Sequence, residues 1–413
     1  MKDIFGNKKL IIALSAVCIN YNSWAGNSVP PVLGQTKSIN TITSAVPFLM
    51  IAPDARAGGM GDAGVASSPD ANSIHWNPAK LAFVDKQFGM SVSYTPWLRK
   101  LVPDINLAYL SAYYKVGKNQ TVAGSLRYFS LGDITFTNNQ GDVTGQFRPN
   151  EFALDLAYAT KLGGKFSGGM DLRYIYSNLT LGQSVDNAAT HAGQSVAVDV
   201  SGYYHNDEIK LKDKKAVFAA GINISNVGSK MAYSNKSQRD FIPINLRIGP
   251  SFTIKLDDYN TLAIMADVNK LLIPTPPIYA TDPVSGTQII GPDGKPTIAA
   301  GADPNRGVAS GIFGSFNDAP GGFKEEMREL NYSLGTEWWY DKQFALRFGY
   351  FYEDMTKGNR QFFTLGAGLK YNVFGLDFAY LIPTQQRNPL ENTLRFTLLF
   401  DFAAMKQNLE VPQ

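Results

Sequence analysis

The sequence predicts an all-β protein, a transmembrane antiparallel β-barrel of about 14 strands. Runs of about ten residues alternate between apolar or aromatic side chains and small or polar ones, which is typical of strands with two different faces. The connections between runs are alternately short and long, as in bacterial outer-membrane barrels. The chain is 44% hydrophobic, yet beyond its N-terminus it has no run of about 18 apolar residues, the length that a membrane helix needs.

The first predicted element is an export signal. Two lysines precede the apolar stretch 10–17, and small residues at 23 and 25 suit a signal peptidase, so residues 1–25 are predicted to be a signal peptide. The single cysteine, Cys18, lies within it. A lipoprotein signal remains the alternative, although Val17 stands where that signal prefers Gly or Ala. Either process exports the protein, and cleavage after residue 25 leaves a chain without cysteine or disulfide bonds.

Residues 26–86 are predicted to form an N-terminal periplasmic segment and a barrel plug. They are rich in Gly, Ala, Pro, Ser and Asn, and they contain short apolar pieces such as 47–51 but no long alternating run. A compact segment of this length before the first strand is of a size that fits inside a wide barrel lumen.

Residues 87–402 are predicted to form the barrel. The last run places Leu394, Phe396, Leu398, Phe400 and Phe402 on one face, opposite Thr393, Arg395, Thr397 and Asp401. Such runs lie at 88–95, 106–116, 121–131, 150–161, 166–181, 194–204, 216–227, 243–255, 261–269, 330–340, 343–353, 361–371, 374–382 and 392–402. Their lengths fit the ~9–11 residues with which a tilted strand crosses a bilayer. A soluble β-sandwich or propeller is the alternative, but sandwich strands are usually shorter and no propeller-like repeat is present.

The connections suggest which end of the barrel faces which side of the membrane. Most connections after even-numbered runs are short, and 206–215 is the exception at ten residues. The longest connection, 270–329, is rich in Pro, Gly and Asp, and is predicted to be an extracellular loop for binding or gating. An even strand count returns both chain ends to the periplasm, so 403–413 is predicted to be a C-terminal periplasmic tail.

One motif suggests nucleotide binding. Gly59, Gly61 and Gly64 spell GxGxxG, and Asp85 follows at about the distance of a ribose-binding acid. That motif needs a preceding strand and a helix whose N-terminus holds the pyrophosphate. Turn-forming residues at 66–72 follow instead, so the favoured interpretation is a set of glycines that allow tight packing in a plug.

Nothing else indicates catalysis, a metal or a cofactor. His75, His191 and His205 lie in unrelated segments, and neither a GxSxG elbow nor a P-loop is present. A charged fraction of 18% and a net charge of +3 argue against a nucleic-acid partner. Charged positions on the strands are expected to line a polar lumen and could pair with one another, and simple solvation of the lumen is favoured over a selective filter. They are Arg127, Asp155, Asp171, Arg173, Arg247, Arg347 and Arg395.

Three stretches resemble a known family. Residues 48–82 resemble the N-terminal signature of the PorV (LptO) family, outer-membrane proteins of the type IX secretion system. This plug signature includes Gly59, Gly61, Gly64, Asn72, Trp76, Asn77 and Pro78. The glycine-rich block with Asn-Pro-Ala is shared more widely with FadL-like barrels. Residues 93–109, which contain Trp97, Leu98 and Arg99, and residues 125–133 narrow the resemblance to PorV.

The resemblance implies a FadL-like barrel of 14 strands with a plug, in the outer membrane of a Gram-negative bacterium of the Bacteroidota type. It implies a role in exporting proteins that carry a type IX C-terminal signal domain. The implied partners are the giant translocon barrel SprA (Sov), those secreted proteins, the surface attachment complex and the lipid bilayer. Trp97, Leu98 and Arg99 are candidates for a partner-facing loop, and the family supplies no catalytic residue.

Two other functions remain open. A FadL-like transporter of hydrophobic small molecules would need an apolar pocket beneath the plug and a continuous path, with 48–51 as possible lining. A surface hydrolase would need a catalytic constellation that the sequence does not reveal.

Overall fold

Fourteen antiparallel strands close into one barrel, which confirms the predicted fold class and strand count. The structure is a computed structural model that describes residues 39–402, with gaps at 100–101, 103, 138–139, 181, 183, 186–187, 235–238 and 386–387. The predicted signal peptide, residues 26–38 and the predicted C-terminal tail lie outside the described residues.

The strands agree closely with the alternating runs of the sequence. They are β1 (Phe88–Pro96), β2 (Asn106–Lys115), β3 (Gln120–Ser130), β4 (Ile134–Thr137), β5 (Val143–Phe147), β6 (Asn150–Lys161), β7 (Phe166–Asn178), β8 (Ser184–Val185), β9 (Ala188–Ala189), β10 (Gly193–Leu211), β11 (Lys214–Gly228), β12 (Asn245–Lys255), β13 (Asn260–Leu271), β14 (Ile278–Tyr279), β15 (Ile298–Ala300), β16 (Asn331–Tyr340), β17 (Phe344–Tyr352), β18 (Gln361–Tyr371), β19 (Phe374–Pro383) and β20 (Leu394–Phe402). The pairs β4–β5, β8–β9 and β14–β15 form small separate sheets, and the other strands follow one another around the barrel in chain order.

The barrel closes where β1 pairs with β20. Phe88 lies opposite Phe402, and Tyr94 lies opposite Phe396. Closure leaves the barrel sheet without an edge, so each of its fourteen strands has hydrogen-bonding partners on both sides, as hydrocarbon requires.

The two faces of the strands differ as the alternation predicts. In β20, Arg395 and Thr397 are buried, whereas Phe396 and Leu398 are 41% and 48% exposed. The polar side chains therefore face the lumen, and the exposed apolar side chains form the outer wall, which in a membrane faces lipid.

The barrel has a short-turn end and a long-loop end. The short-turn end carries the connections after β2, β6, β10, β12, β16 and β18, and the long-loop end carries the others. The prediction of a ten-residue connection at 206–215 is wrong. β10 and β11 extend through this polar stretch and leave a turn of only Lys212 and Asp213, with a bulge between Asn206 and Ile209.

Helices are short. They are α1 (Ala55–Gly58), α2 (Ser73–Trp76), α3 (Val308–Gly314) and α4 (Phe323–Arg328), with 3-10 helices at Pro47–Met50 and Pro78–Phe83. The loop between β13 and β16 contains α3, α4 and the β14–β15 hairpin. Among the described residues, no helix has the length and hydropathy needed to span a membrane.

Candidate functional site

Residues 45–84, which we call the lumenal segment, lie inside the ring of strands. Most of them are buried. Backbone N–H groups of the segment donate to side chains on strands spread around the barrel, at 2.8–2.9 Å. The pairs are Ala55 with Thr397 of β20, Gly61 with Thr364 of β18, Gly64 with Asp267 of β13, and Ala79 with Ser201 of β10. Contacts on all sides fix the segment within the lumen.

The described chain starts at the long-loop end and runs toward the short turns. The Asn40 backbone N–H donates to the carbonyl of Thr356 (3.0 Å), in the loop after β17. At the other end, Lys115 Nζ donates to the carbonyl of Val84 (2.8 Å). The segment crosses the lumen before β1 begins at the short-turn end, so residues 39–46 lie at the opposite end.

The three glycines of the GxGxxG motif are close-packing positions. Gly61 has φ +66°, and an added Cβ would lie 2.6 Å from the carbonyl oxygen of Tyr350. A Cβ on Gly64 would lie 2.4 Å from the Trp76 ring, and one on Gly59 would lie 3.0 Å from the Cα of Gly366. The only regular helix beside the motif, α1, ends before its first glycine. The contacts account for the glycines without a nucleotide.

Asn77 and Pro78 start the second 3-10 helix. Asn77 Oδ1 accepts from the Ala79 N–H (3.0 Å), which caps the helix, while Asn77 Nδ2 donates to the carbonyls of Val65 (3.0 Å) and Gly202 (3.1 Å). Pro78 occupies the first helical position, where its missing N–H costs nothing. Asn77 therefore links two parts of the segment to β10.

Trp76 and Asn72 of the plug signature are also buried. Trp76 Nε1 donates to Asp54 Oδ1 (2.6 Å), and the Arg247 guanidinium lies 4.4 Å from the centroid of the Trp76 ring. Asn72 Oδ1 accepts from Ser111 Oγ of β2 (3.2 Å). The signature residues thus position the segment against the wall.

Asp54 caps α1 from inside the lumen. Its carboxylate accepts from the Ala57 N–H (2.9 Å) as well as from Trp76, and its side chain is almost completely buried. Burial, with a smaller contribution from nearby Asp70, raises the pKa of Asp54 to about 6. The folded protein therefore holds this proton more tightly than the unfolded chain does.

We expect Asp54→Asn to remove a pH dependence of stability. Between about pH 4 and 6 the contribution of Asp54 to the free energy of unfolding should fall as the pH rises, by about 3 kcal/mol, because the folded state holds this proton more tightly. The variant should lose this contribution, while asparagine still caps α1. Urea unfolding in lipid vesicles at pH 4 to 7 measures it. Asp341→Asn, at an exposed turn position, is the control, and an unchanged slope in Asp54→Asn would contradict the assignment.

A buried ionic network joins the lumenal segment to the wall. Glu337 of β16 accepts from Arg56 Nε (2.9 Å) and Nη2 (2.7 Å), and from Arg347 Nε of β17 (2.8 Å). Arg347 Nη1 reaches Asp377 of β19 (2.7 Å), and Arg56 Nη1 reaches Asp70 (2.8 Å). Glu337 therefore bridges one arginine of the segment and one of the barrel.

Other lumenal charges also find protein partners. Arg173 pairs with Asp155 (2.6 Å) and Asp171 (3.0 Å). Arg395 pairs with Asp62 of the segment (2.6 Å), and Arg127 Nη1 donates to the carbonyl of Leu49 (2.7 Å). Arg173 therefore pairs with acids of the barrel wall, whereas Arg395 and Arg127 bind the lumenal segment. Several of the pairs also hold the segment in place.

The histidines do not form a shared site. His75 Nδ1 lies 2.6 Å from Arg127 Nη2, and burial together with nearby arginines lowers its pKa well below the ordinary value. The His205 ring lies 5.1 Å from that of Phe83 at a tilted angle, and His191 is in a loop. Within the described part of the chain, no group of three or more His, Cys, Asp or Glu side chains is arranged to hold a metal.

The candidate loop residues Trp97, Leu98 and Arg99 have different environments. Trp97 and Leu98 pack against an apolar cluster inside the long-loop end, whereas Arg99 is exposed. The cluster consists of Phe351, Phe362, Leu381 and Leu390. Of the three side chains, that of Arg99 is the most exposed.

Cavities lie at both ends of the lumenal segment. The long-loop cavity, about 330 Å³, is lined by Ile42, Met50 and Leu271 with a charged border that includes Lys357 and Arg360. Of the predicted pocket lining, Phe48 instead stacks on Phe129 (6.1 Å). The short-turn cavity, about 260 Å³, is bordered by many charged side chains. They are Arg56, Asp70, Asp85, Lys86, Lys342, Arg347, Lys370, Asp377 and Asp401.

A family model described as type IX secretion system protein PorV matches residues 34–278, more than half of the chain. The chain belongs to this family. The match includes the whole lumenal segment and the barrel strands from β1 to β13. Membership in PorV makes the protein an outer-membrane component of the type IX secretion system. No curated protein sequence matches the chain significantly.

Several solved structures are similar to the chain in fold. The toluene transporter TbuX of Ralstonia pickettii is 10% identical, with 84% of this chain and 98% of that chain covered and a TM-score of 0.46. The Pseudomonas putida toluene transporter TodX is 13% identical, with 86% and 99% covered and a TM-score of 0.46. A FadL homologue of Pseudomonas aeruginosa is 10% identical, with 88% and 100% covered and a TM-score of 0.41. Identities this low carry no information about what the chain binds.

The sequence pattern did not single out the charges that hold this PorV lumenal segment. Asp54, Arg56 and Lys80 are buried, and burial lowers the pKa of Lys80 to about 8. Lys80 Nζ donates to the Gly64 carbonyl and Ser67 Oγ, both at 2.8 Å. The sequence did contain one signal for these residues, namely isolated charges within a stretch of small residues. Charged side chains are rare inside packed cores unless they are paired, so a charge in a predicted plug indicates a buried partner.

Proposed function

We propose that the protein binds exported proteins carrying a type IX C-terminal signal domain at the giant translocon barrel SprA (Sov). It then shuttles them to the surface attachment complex, without enzymatic activity. The observation that carries this proposal is the PorV match over residues 34–278. The short turns face the periplasm and the long loops face the exterior, as is general for such barrels.

The packed lumen favours a function at the long-loop end over transport through the barrel. The lumenal segment is hydrogen-bonded to strands around the barrel and anchored by the Arg56–Glu337 pair. Below the long-loop cavity, the space around His75 and Arg247 amounts to only about 10 Å³. A secreted protein would therefore be held on the loops, where Arg99 is exposed.

Deleting the gene should leave proteins with type IX signal domains in the periplasm, and a wild-type copy should restore their surface delivery. Surface proteolysis and cell fractionation measure both. A copy with Arg99→Glu should restore less delivery if this loop contacts cargo or translocon. Lys118→Glu is the control, since Lys118 is also an exposed cation but lies in the short turn after β2. Normal delivery in the deletion strain would refute the proposal.

The long-loop cavity supports one second candidate, a transporter of hydrophobic small molecules. Its apolar lining by Ile42, Met50 and Leu271 is suited to such a ligand. Against transport, the cavity beneath the segment is bordered by nine charged side chains, which an apolar ligand leaving the barrel would have to pass. Uptake of a labelled fatty acid that depends on the protein would favour this candidate, and uptake equal in wild-type and deletion strains would exclude it.

A further inference from the structure

An apolar groove lies on the outside of the barrel, beneath the loop that joins β13 to β16. We call it the outer groove. It has a volume of about 290 Å³, and its lining is almost entirely apolar. One wall is Leu246, Ile248 and Val268 of β12 and β13, and the other includes Phe316, Phe323 and Met327.

The strand wall of the groove belongs to the outer surface of the barrel. Strand side chains alternate between faces, and the neighbours Asn245, Asp267 and Asn269 are buried toward the lumen. Asp267 accepts from the backbone of the lumenal segment. Leu246, Ile248 and Val268 therefore point outward, in the same surface that faces hydrocarbon elsewhere on the wall.

A buried ion pair attaches the loop above the groove. Lys270 follows Val268 in the outward row of β13, yet it is only 5% exposed. Its Nζ donates to Glu326 (3.0 Å) and Glu329 (2.6 Å), at the end of α4. This attachment holds the Phe323 and Met327 side chains opposite the strand wall and keeps the groove open.

Cations lie beside the groove on the same helix. Lys324 is exposed and Arg328 is partly exposed, next in sequence to the groove residues Phe323 and Met327. The acids of α4 are engaged by lysines, since Glu325 pairs with Lys357 (2.6 Å) and Glu326 pairs with Lys270. The border of the groove next to α4 is therefore suited to an anionic group.

We propose that the outer groove holds an acyl chain of an outer-leaflet membrane lipid, whose anionic phosphate lies near Lys324 and Arg328. The groove is continuous with the lipid-facing wall, where an empty apolar space would lose its contacts on one side and an acyl chain restores them. The groove lies where two barrel strands meet the long loops, since β12 begins at Asn245 and β13 ends at Leu271. This position corresponds to the headgroup border of the outer leaflet. A protein segment is the other possible occupant, and the test separates the two.

The probe is a phosphatidylglycerol with a photoactivatable diazirine in its acyl chain, mixed into vesicles that contain the purified full-length protein. Labelled peptides are mapped by mass spectrometry. Residues of β12, β13 and α4 should be labelled about tenfold more than the outer wall of β20, which corresponds to a modest preference in binding. Val268→Phe should fill the groove and abolish the excess. Leu398→Phe on the outer wall of β20 is the matched control and should leave it unchanged.

Further variants and a neutral probe test the headgroup assignment. Lys324→Gln with Arg328→Gln should lower labelling by phosphatidylglycerol but not by a diacylglycerol probe of the same chain length. If Val268→Phe does not assemble, Phe323→Ser tests the groove from the loop side. Equal labelling of β20 and the groove would overturn the proposal. So would a result in which Val268→Phe leaves labelling intact but releases a co-purifying outer-membrane protein, because the groove would then be a protein docking surface.

Discussion

Glu337→Gln is expected to lower the free energy of unfolding by about 3–5 kcal/mol and to loosen the lumenal segment. Glu337 accepts hydrogen bonds from Arg56 and Arg347, and all three side chains are buried. Glutamine keeps the volume but not the charge, so two buried guanidinium groups lose their shared counter-charge. Urea unfolding in lipid vesicles measures the loss of stability, and protease cleavage within 45–84 measures the release of the segment.

The control for this change is Glu208→Gln. Glu208 pairs with Lys165 at the short-turn end, but its side chain is 74% exposed, and exposed pairs contribute about 0–1 kcal/mol. Planar-bilayer conductance adds a functional measurement, because a released segment should open the lumen to ions. Unchanged stability and unchanged conductance in Glu337→Gln would show that the pair does not anchor the segment.

Gly349→Ala is the second large effect, with an expected loss of about 3 kcal/mol from overpacking. A Cβ on Gly349 of β17 would lie 2.0 Å from the backbone nitrogen of Gly61 and 2.1 Å from the carbonyl carbon of Met60. Both contacts are with backbone atoms, so no side-chain rotation relieves them. The barrel should still close, because its ladders do not depend on this contact, but the lumenal segment should seat poorly.

Gly202→Ala provides the matched control for this prediction. Gly202 is also a barrel-strand glycine, and its Cβ would meet Ile222 Cγ2 at 3.4 Å, an ordinary contact. Protease cleavage of 45–84 and urea unfolding should change in Gly349→Ala and stay close to wild type in Gly202→Ala. Equal behaviour of the two variants would mean that the segment is not held against β17.

Glu337→Gln and Gly349→Ala also test the proposed secretion role. If cargo is held on the loops, a loosened lumenal segment affects delivery only through the residues at the long-loop end, such as Asn40 and Ala45. Delivery should then fall less in Glu337→Gln than in the deletion strain. If the small-molecule candidate were correct, conductance and fatty-acid uptake would rise together.

The strands were predictable because alternation of apolar and polar residues is a local property of each run. The run at 392–402 already separates the outward Phe396 and Leu398 from the inward Arg395 and Thr397, and no distant contact is needed to see it. The prediction of a ten-residue connection at 206–215 was wrong for a local reason. Its polar residues indicated a loop, but outside the membrane a strand can be polar on both faces, so β10 and β11 continue through them.

By itself the sequence determined a membrane barrel of the right strand number, a glycine-rich segment before it, and the PorV resemblance. Tertiary structure decided what that segment touches. Arg56 and Glu337 are 281 residues apart, so their pairing depends on which strand closes beside which part of the lumen. The same holds for Trp97 and Leu98, which lie in a loop by sequence but pack against Phe351 and Phe362. Alternation specifies the face of a strand, whereas only closure of the ring brings distant faces together across the lumen.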